Sequence, residues 1–349
     1  MNLTVATHGH AGFGLLLILL ALAFPQISQA QTARERMLAE TIRLEKVLSS
    51  LKLSDEDTRA RAGAIVSIRQ SLQSGHLYLS LYRLQPLWVE IMAQGYAASK
   101  AGIEPKGAEA FEKEWQRLGL EIVEKEKRLA ATSSGNSAAA VSALIESALT
   151  QVRPYYQSGR LYGLNTTIRN GLFYMGLAPA YLDFAILCRE LRFPENGKPL
   201  TYGTLSTELT KLETDVLESY RRMDSSDNQP QFNRVNSTLK MALELNKEGR
   251  YAGALLKYLE TTLFLNLLAA PPADVKDLPR LREQARVMES RLKKAGAGDH
   301  SIALIYFESA QGALSEAAPG RLDKESLRRA AVIIERVLPR YFEIMSGDK

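Results

Sequence analysis

Few residues in this chain could do covalent or metal chemistry. Beyond residue 30 there are two histidines, His76 and His300, and the whole chain has one cysteine, Cys188. Neither histidine belongs to a His-Glu-x-x-His or Glu-x-x-His pattern, because Gln73 and Ala297 stand three positions before them. A histidine-held zinc, a histidine-based triad and a bound cofactor are therefore not expected. No phosphate-cradling glycine loop ending in Gly-Lys-Ser/Thr occurs. Cys188 lies on the apolar run Tyr-Leu-Asp-Phe-Ala-Ile-Leu-Cys, where it reads as a small buried side chain. A lone cysteine also allows no internal disulfide, so stability must come from packing. Carboxylates are more plentiful. Glu146, Glu218, Glu289 and Glu308 each precede a serine. As general acids they would need a cleft that raises their pKa. All four sit in strongly helical stretches, whose charged faces account for them.

The densest binding chemistry is aromatic. Tyr155, Tyr156, Arg160, Tyr162, Arg169 and Tyr174 crowd one stretch, with Arg153, Phe173, Tyr181 and Phe184 among them. Tyrosine gives rigid amphipathic contact and arginine pairs with carboxylates, so the set could line a groove for a peptide or a glycan. The same rings at helical spacing also fill a core between helices, and that spacing favours packing.

The elements that must carry these residues are helical almost throughout. From Gln31 onward apolar residues recur three and four apart, and strand-type alternation is scarce. The pattern predicts helices from about Ala33 to Leu51, then up to Ser74 and on from His76. Ser54 is the expected N-cap of the second, with Asp57 in its first turn. Pro86 should kink or split the third. A long charged helix follows over 107–131, then a polar loop over 132–137. The next helix is expected to end by Ser158 and turn at Gly159, with a return over 161–177 and a separate helix from Tyr181. Residues 193–203 hold two prolines and two glycines and read as a linker between halves. Thus 31–192 form units one and two, and 204–346 form units three and four. In the second half, 224–230 reads as a loop and the last helix runs from Asp323 to Met345.

The first thirty residues differ. Residues 11–24 are an uncharged apolar run, too short to span a bilayer comfortably, and Ser28 and Ala30 fit a small-x-small cleavage rule. A signal peptide over 1–30 is expected, giving an exported protein, periplasmic or extracellular. An uncleaved N-terminal anchor is the alternative, because the segment before the apolar run has no Lys or Arg. The formal charge of +5 is mild and spread over many helices, so nucleic acid is not an expected partner.

Three glycines mark a repeated turn. Gln73-Ser-Gly75-His-Leu-Tyr78 is similar to Gln157-Ser-Gly159-Arg-Leu-Tyr162, and Lys247-Glu-Gly249-Arg-Tyr251 is a third copy. Residues 249–255, Gly-Arg-Tyr-Ala-Gly-Ala-Leu, with Tyr258 and Leu263, resemble the turn and second helix of a tetratricopeptide repeat. The resemblance is best over 243–263, and the family's 34-residue period is absent. It implies an all-α fold of antiparallel hairpins stacked as an irregular α-solenoid. It also implies a scaffold that binds a protein or peptide, without catalysis. The rival readings are a carboxylate enzyme acting on carbohydrate or peptidoglycan, and a carrier with a pocket between helix layers.

Overall fold

The computed structural model describes residues 33–131, 138–193, 197–222, 225–295, 298–317 and 323–347. The expected signal peptide and the 132–137 loop lie outside the described residues. The fold is all-α. Helix α1 spans 33–50. The first half continues with α2 (Asp55–Gln73), α3 (Leu77–Ser99), α4 (Gly107–Ala131), α5 (Ala139–Asn165) and α6 (Ile168–Glu190). The second half holds α7 (Ser206–Arg222), α8 (Ser225–Lys247), α9 (Tyr251–Ala269), α10 (Leu278–Lys294), α11 (Ser301–Glu316), α12 (Lys324–Val332) and α13 (Leu338–Gly347). A π-helical turn over Ile333–Val337 joins the last two. No strand forms among the described residues; an isolated parallel bridge pairs Lys198 with Gly298.

Local chemistry sets several of these ends. The Ser54 hydroxyl accepts the Asp57 amide at 3.1 Å and starts α2, as the spacing predicts. Gly75 and Gly249 close α2 and α8 in the same way. Each has positive φ, 84° and 73°. The His76 amide donates to Ser71 O at 3.0 Å and the Arg250 amide to Leu245 O at 2.9 Å. This is the six-to-one bond of a Schellman turn, and glycine takes its left-handed position without a Cβ clash.

Gly159 does not make the expected turn. Helix α5 runs unbroken through Pro154 and Gly159 to Asn165. The reason is tertiary: Gly159 and Gly163 are buried where α5 crosses α6. A Cβ on Gly159 would lie 2.6 Å from the Met175 backbone nitrogen, and one on Gly171 would lie 2.4 Å from Gly163 Cα. These glycines serve close approach. Pro86, Pro154 and Pro179 likewise sit inside continuous helices. An internal proline costs a helix about 3 kcal/mol. Helix α6 buries fourteen residues, including Leu172, Met175, Leu182 and Phe184, and at about 2 kcal/mol per large apolar side chain that packing outweighs the loss. The separate helix expected from Tyr181 is the second half of α6, and the loop expected over 224–230 is the start of α8 from Ser225.

The two halves hold each other by matching contacts. Helix α5 packs on α9, α11 packs on α3, and α5 also touches α11. Glu146 on α5 accepts the Gly253 amide in the first turn of α9 at 2.6 Å. Glu308 on α11 accepts the Leu79 amide in the first turn of α3 at 3.0 Å. Neither His76 nor Arg250, the residues before those helices, caps with its own side chain. Both caps therefore come from the other half, and they satisfy amides that a buried helix start would leave unpaired. In a simple solenoid each unit touches only its sequence neighbours. Here α11, late in the chain, meets α3, early in it.

Phe193 and Tyr202 of the expected linker also pack on the core. Phe193 is buried and stacks on Tyr78 at 5.1 Å. The Asp299 amide donates to Lys198 O at 2.8 Å. Helix α6 is long and apolar enough to cross a membrane, but 78% of its most apolar window is buried against other helices.

Candidate functional site

The tyrosine stretch divides into three environments. Tyr155 and Tyr162 on α5 are seven residues apart, as are Tyr174 and Tyr181 on α6, so each pair shares a helix side. The four rings form one stack. Tyr162 lies 4.2 Å from Tyr174, Tyr174 lies 6.5 Å from Tyr155, and Tyr155 lies 5.6 Å from Tyr181. Tyr162 is 43% exposed and Tyr181 lies deeper, its phenol pushed well up by burial and then by Tyr155.

Tyr156 and Arg160 face α4 instead. The Tyr156 ring stacks on Trp115 at 4.9 Å and its hydroxyl donates to Trp115 O at 2.9 Å. Arg160 lies over the same indole at 4.6 Å and pairs with Glu112 at 3.0 Å. Arg153 pairs with Glu126 at 2.6 Å. These guanidiniums are already neutralised within the fold. Arg169 is exposed at the start of α6 and takes no part in the stack.

The inner end of the stack opens into a cleft between the halves. Tyr181 lines a cavity of about 490 Å³ whose other walls come from α2, α3, α8, α9 and α12. Its charged residues are Arg83, Glu90, Arg234, Lys257, Glu260 and Arg329. Glu260 is buried, pairs with Lys257 at 2.7 Å and accepts the Tyr82 hydroxyl at 2.8 Å. Burial opposes ionisation of Glu260, but Lys257 and Tyr82 hold its carboxyl below the ordinary range. Glu90 pairs with Arg61. Arg234 lies 3.9 Å over the Phe264 ring.

Arg83 and Arg329 are different. Both are half-buried. Arg83 donates to hydroxyls alone, Ser71 at 3.1 Å and Ser67 at 3.4 Å. The Arg329 guanidinium makes no hydrogen bond or ion pair among the described residues. Burial, then the charge of Arg329, lowers the Arg83 pKa, and Glu316 offsets this only in part. The cleft thus keeps uncompensated positive charge beside tyrosine rings. Sequence reasoning missed it, because its residues lie on six helices and no local motif joins them.

A smaller cavity of about 260 Å³ holds Glu146 and Asp299 together. Burial raises the Glu146 pKa. Asp299 is buried and accepts amides from Ala139 at 2.5 Å and Ser301 at 2.9 Å. Both carboxylates therefore cap helix starts. Of the other two Glu-Ser pairs, Glu218 and Glu289 are surface partners of Arg222 and Lys293. His300 bonds the Tyr341 hydroxyl at 2.7 Å, and burial pushes the Cys188 thiol well up, which makes it a poor nucleophile. No group of three or more metal-ligating side chains occurs among the described residues. No family model matches the chain, and neither a curated protein nor a solved structure matches it.

Proposed function

We propose that this chain is an exported, tetratricopeptide-like helical scaffold that binds a protein or peptide in the cell envelope. The contact region is the tyrosine stack together with the cleft at its inner end. The α2–α3 and α8–α9 hairpins, with their matching glycine turns, are its repeat-like elements, arranged as an irregular solenoid whose ends also touch. The apolar segment over 11–24 and its small-residue exit support export. The observation that carries the binding reading is the cleft, where cations without carboxylate partners adjoin Tyr181. Arginine and tyrosine side by side in a concave site are typical anchors for a partner.

The test is capture from cell-envelope extract by the chain from residue 31 onward. A partner held by the wild type and lost from a Tyr181→Ala, Arg234→Ala double variant supports the reading. Reproducible absence of any partner overturns it.

A second reading, a carboxylate hydrolase, is favoured by one observation: Glu146, with its raised pKa, shares a cavity with Asp299. Two carboxyl groups facing one cavity are the arrangement that glycoside hydrolysis uses. Release of soluble fragments from peptidoglycan, abolished in Glu146→Gln, would establish it. No release by the wild type would remove it.

A further inference from the structure

The wall between two cavities carries the clearest unmet chemistry in the molecule. Arg83, Arg329 and Ser67 line the 490 Å³ cleft and also a neighbouring cavity of about 230 Å³. Some other arginines in the first half of the fold have carboxylates in contact: Arg61 pairs with Asp57 and Glu90, and Arg117 with Glu114 and Glu121. Arg83 and Arg329 have none within ion-pair distance among the described residues. Two half-buried cations close enough to influence each other raise the energy of the empty fold.

Their surroundings are suited to an oxyanion. Ser67 and Ser71 hold Arg83 in place, and Ser309 lines the smaller cavity with Ser326, whose hydroxyl already donates to Asp323 at 2.6 Å. Hydroxyls and guanidiniums all donate to anionic oxygen, and the planar guanidinium fork does so with two bonds at once. Ser309 and Ser326 come from α11 and α12, and Ser67, Ser71 and Arg83 from α2 and α3, so the site needs both halves of the chain. Glu316 at the rim is exposed, and it does not cancel the effect of burial and Arg329 on Arg83.

We propose that Arg83 and Arg329 together form an oxyanion-binding site that takes a carboxylate or phosphate group of the ligand. This rests on the binding reading above and names the group that the ligand presents. The occupant offsets the charge of the two guanidiniums, a phosphate dianion in full and a carboxylate by half.

The experiment uses the chain from residue 31 onward. Its melting temperature and calorimetric binding are followed in inorganic phosphate, acetate and chloride at matched ionic strength. A ligand that binds only the folded state raises the melting temperature with the logarithm of its concentration. Phosphate or acetate is expected to do so beyond chloride, and the stronger of the two identifies the kind of group. Arg83→Gln and Arg329→Met are each expected to weaken that anion by about tenfold or more, the scale of a charge-assisted hydrogen bond. Without the anion, Arg329→Met should melt at or above the wild-type temperature, since it removes a repulsion and no partner. Phosphate and acetate that act no differently from chloride overturn the proposal. So does a lower anion-free melting temperature in Arg329→Met, which would reveal an internal acidic partner. The probes are small ions, so this result stands apart from partner capture: a scaffold without the anion site still captures its partner.

Discussion

Glu308 on α11 accepts the backbone amide of Leu79 on α3 at 3.0 Å, and this bond ties the C-terminal half of the chain to the N-terminal half. Burial holds the Glu308 carboxyl up at about 7, against an ordinary 4.5. The folded state therefore binds one more proton than the unfolded chain between those values. Its contribution to stability is full below 4.5 and is lost as pH rises through 7, about 3 kcal/mol in all. Burial raises Glu146 in the matching cap, with the same sign. Glu308→Gln keeps an acceptor for the Leu79 amide and has no charge to bury. Urea melts across this pH range should show a flatter curve for the variant, which should exceed the wild type above neutral pH. Parallel curves for the two proteins would assign the pH dependence elsewhere.

The glycines give a second prediction. Gly249 has φ of 73° with open space around its missing Cβ, so Gly249→Ala should cost only conformational strain, about 1 kcal/mol. Gly159 is helical, but an added Cβ would meet Met175 backbone nitrogen at 2.6 Å. Gly159→Ala must move α5 off α6 and should cost about 2–3 kcal/mol or more. Chemical denaturation of both variants checks the order, and equal losses would contradict the close crossing.

That contrast shows where the sequence was legible. The turns at Gly75 and Gly249 were, because a Schellman turn is a local device and its glycine reports a local backbone angle. Gln157-Ser158-Gly159 has the same letters as Gln73-Ser74-Gly75, yet its backbone follows the neighbouring helix. The all-α class was legible from periodicity. The prolines misled, because the burial that keeps α5 and α6 continuous comes from other helices. For the candidate site, the crowding of tyrosines was legible, but the breaks expected at Gly159 and before Tyr181 hid that each tyrosine pair shares one helix side. The roles of Arg153 and Arg160 did not show, since their partners lie on α4. Arg83 and Arg329 resemble any surface arginine in the sequence, and only the fold leaves them without a carboxylate.

The ring stack gives a third prediction. Tyr155 sits between Tyr174 and Tyr181 and is half-buried, whereas Tyr162 ends the stack and is 43% exposed. Tyr155→Ala should cost about 2–3 kcal/mol, from lost burial and two lost ring contacts. Tyr162→Ala should stay within about 1 kcal/mol. A larger loss at Tyr162 than at Tyr155, measured by urea denaturation, would mean that the outer ring is the anchor.

Glu260 tests the cleft from the opposite direction. It is the carboxylate that neutralises Lys257 and accepts the Tyr82 hydroxyl on the cavity wall. Glu260→Gln keeps the shape and an acceptor for Tyr82, but leaves Lys257 without its ion pair. Breaking one side of a buried pair costs about 3 kcal/mol or more, so the ligand-free protein should lose stability. The same change adds one unit of positive charge to a cavity already lined by Arg83, Arg234 and Arg329. Anion affinity should therefore rise while stability falls, and the two effects should separate when melting curves with and without phosphate are compared. A variant that loses both would show that Glu260 shapes the cleft through packing, and the charge argument for that cavity would fail.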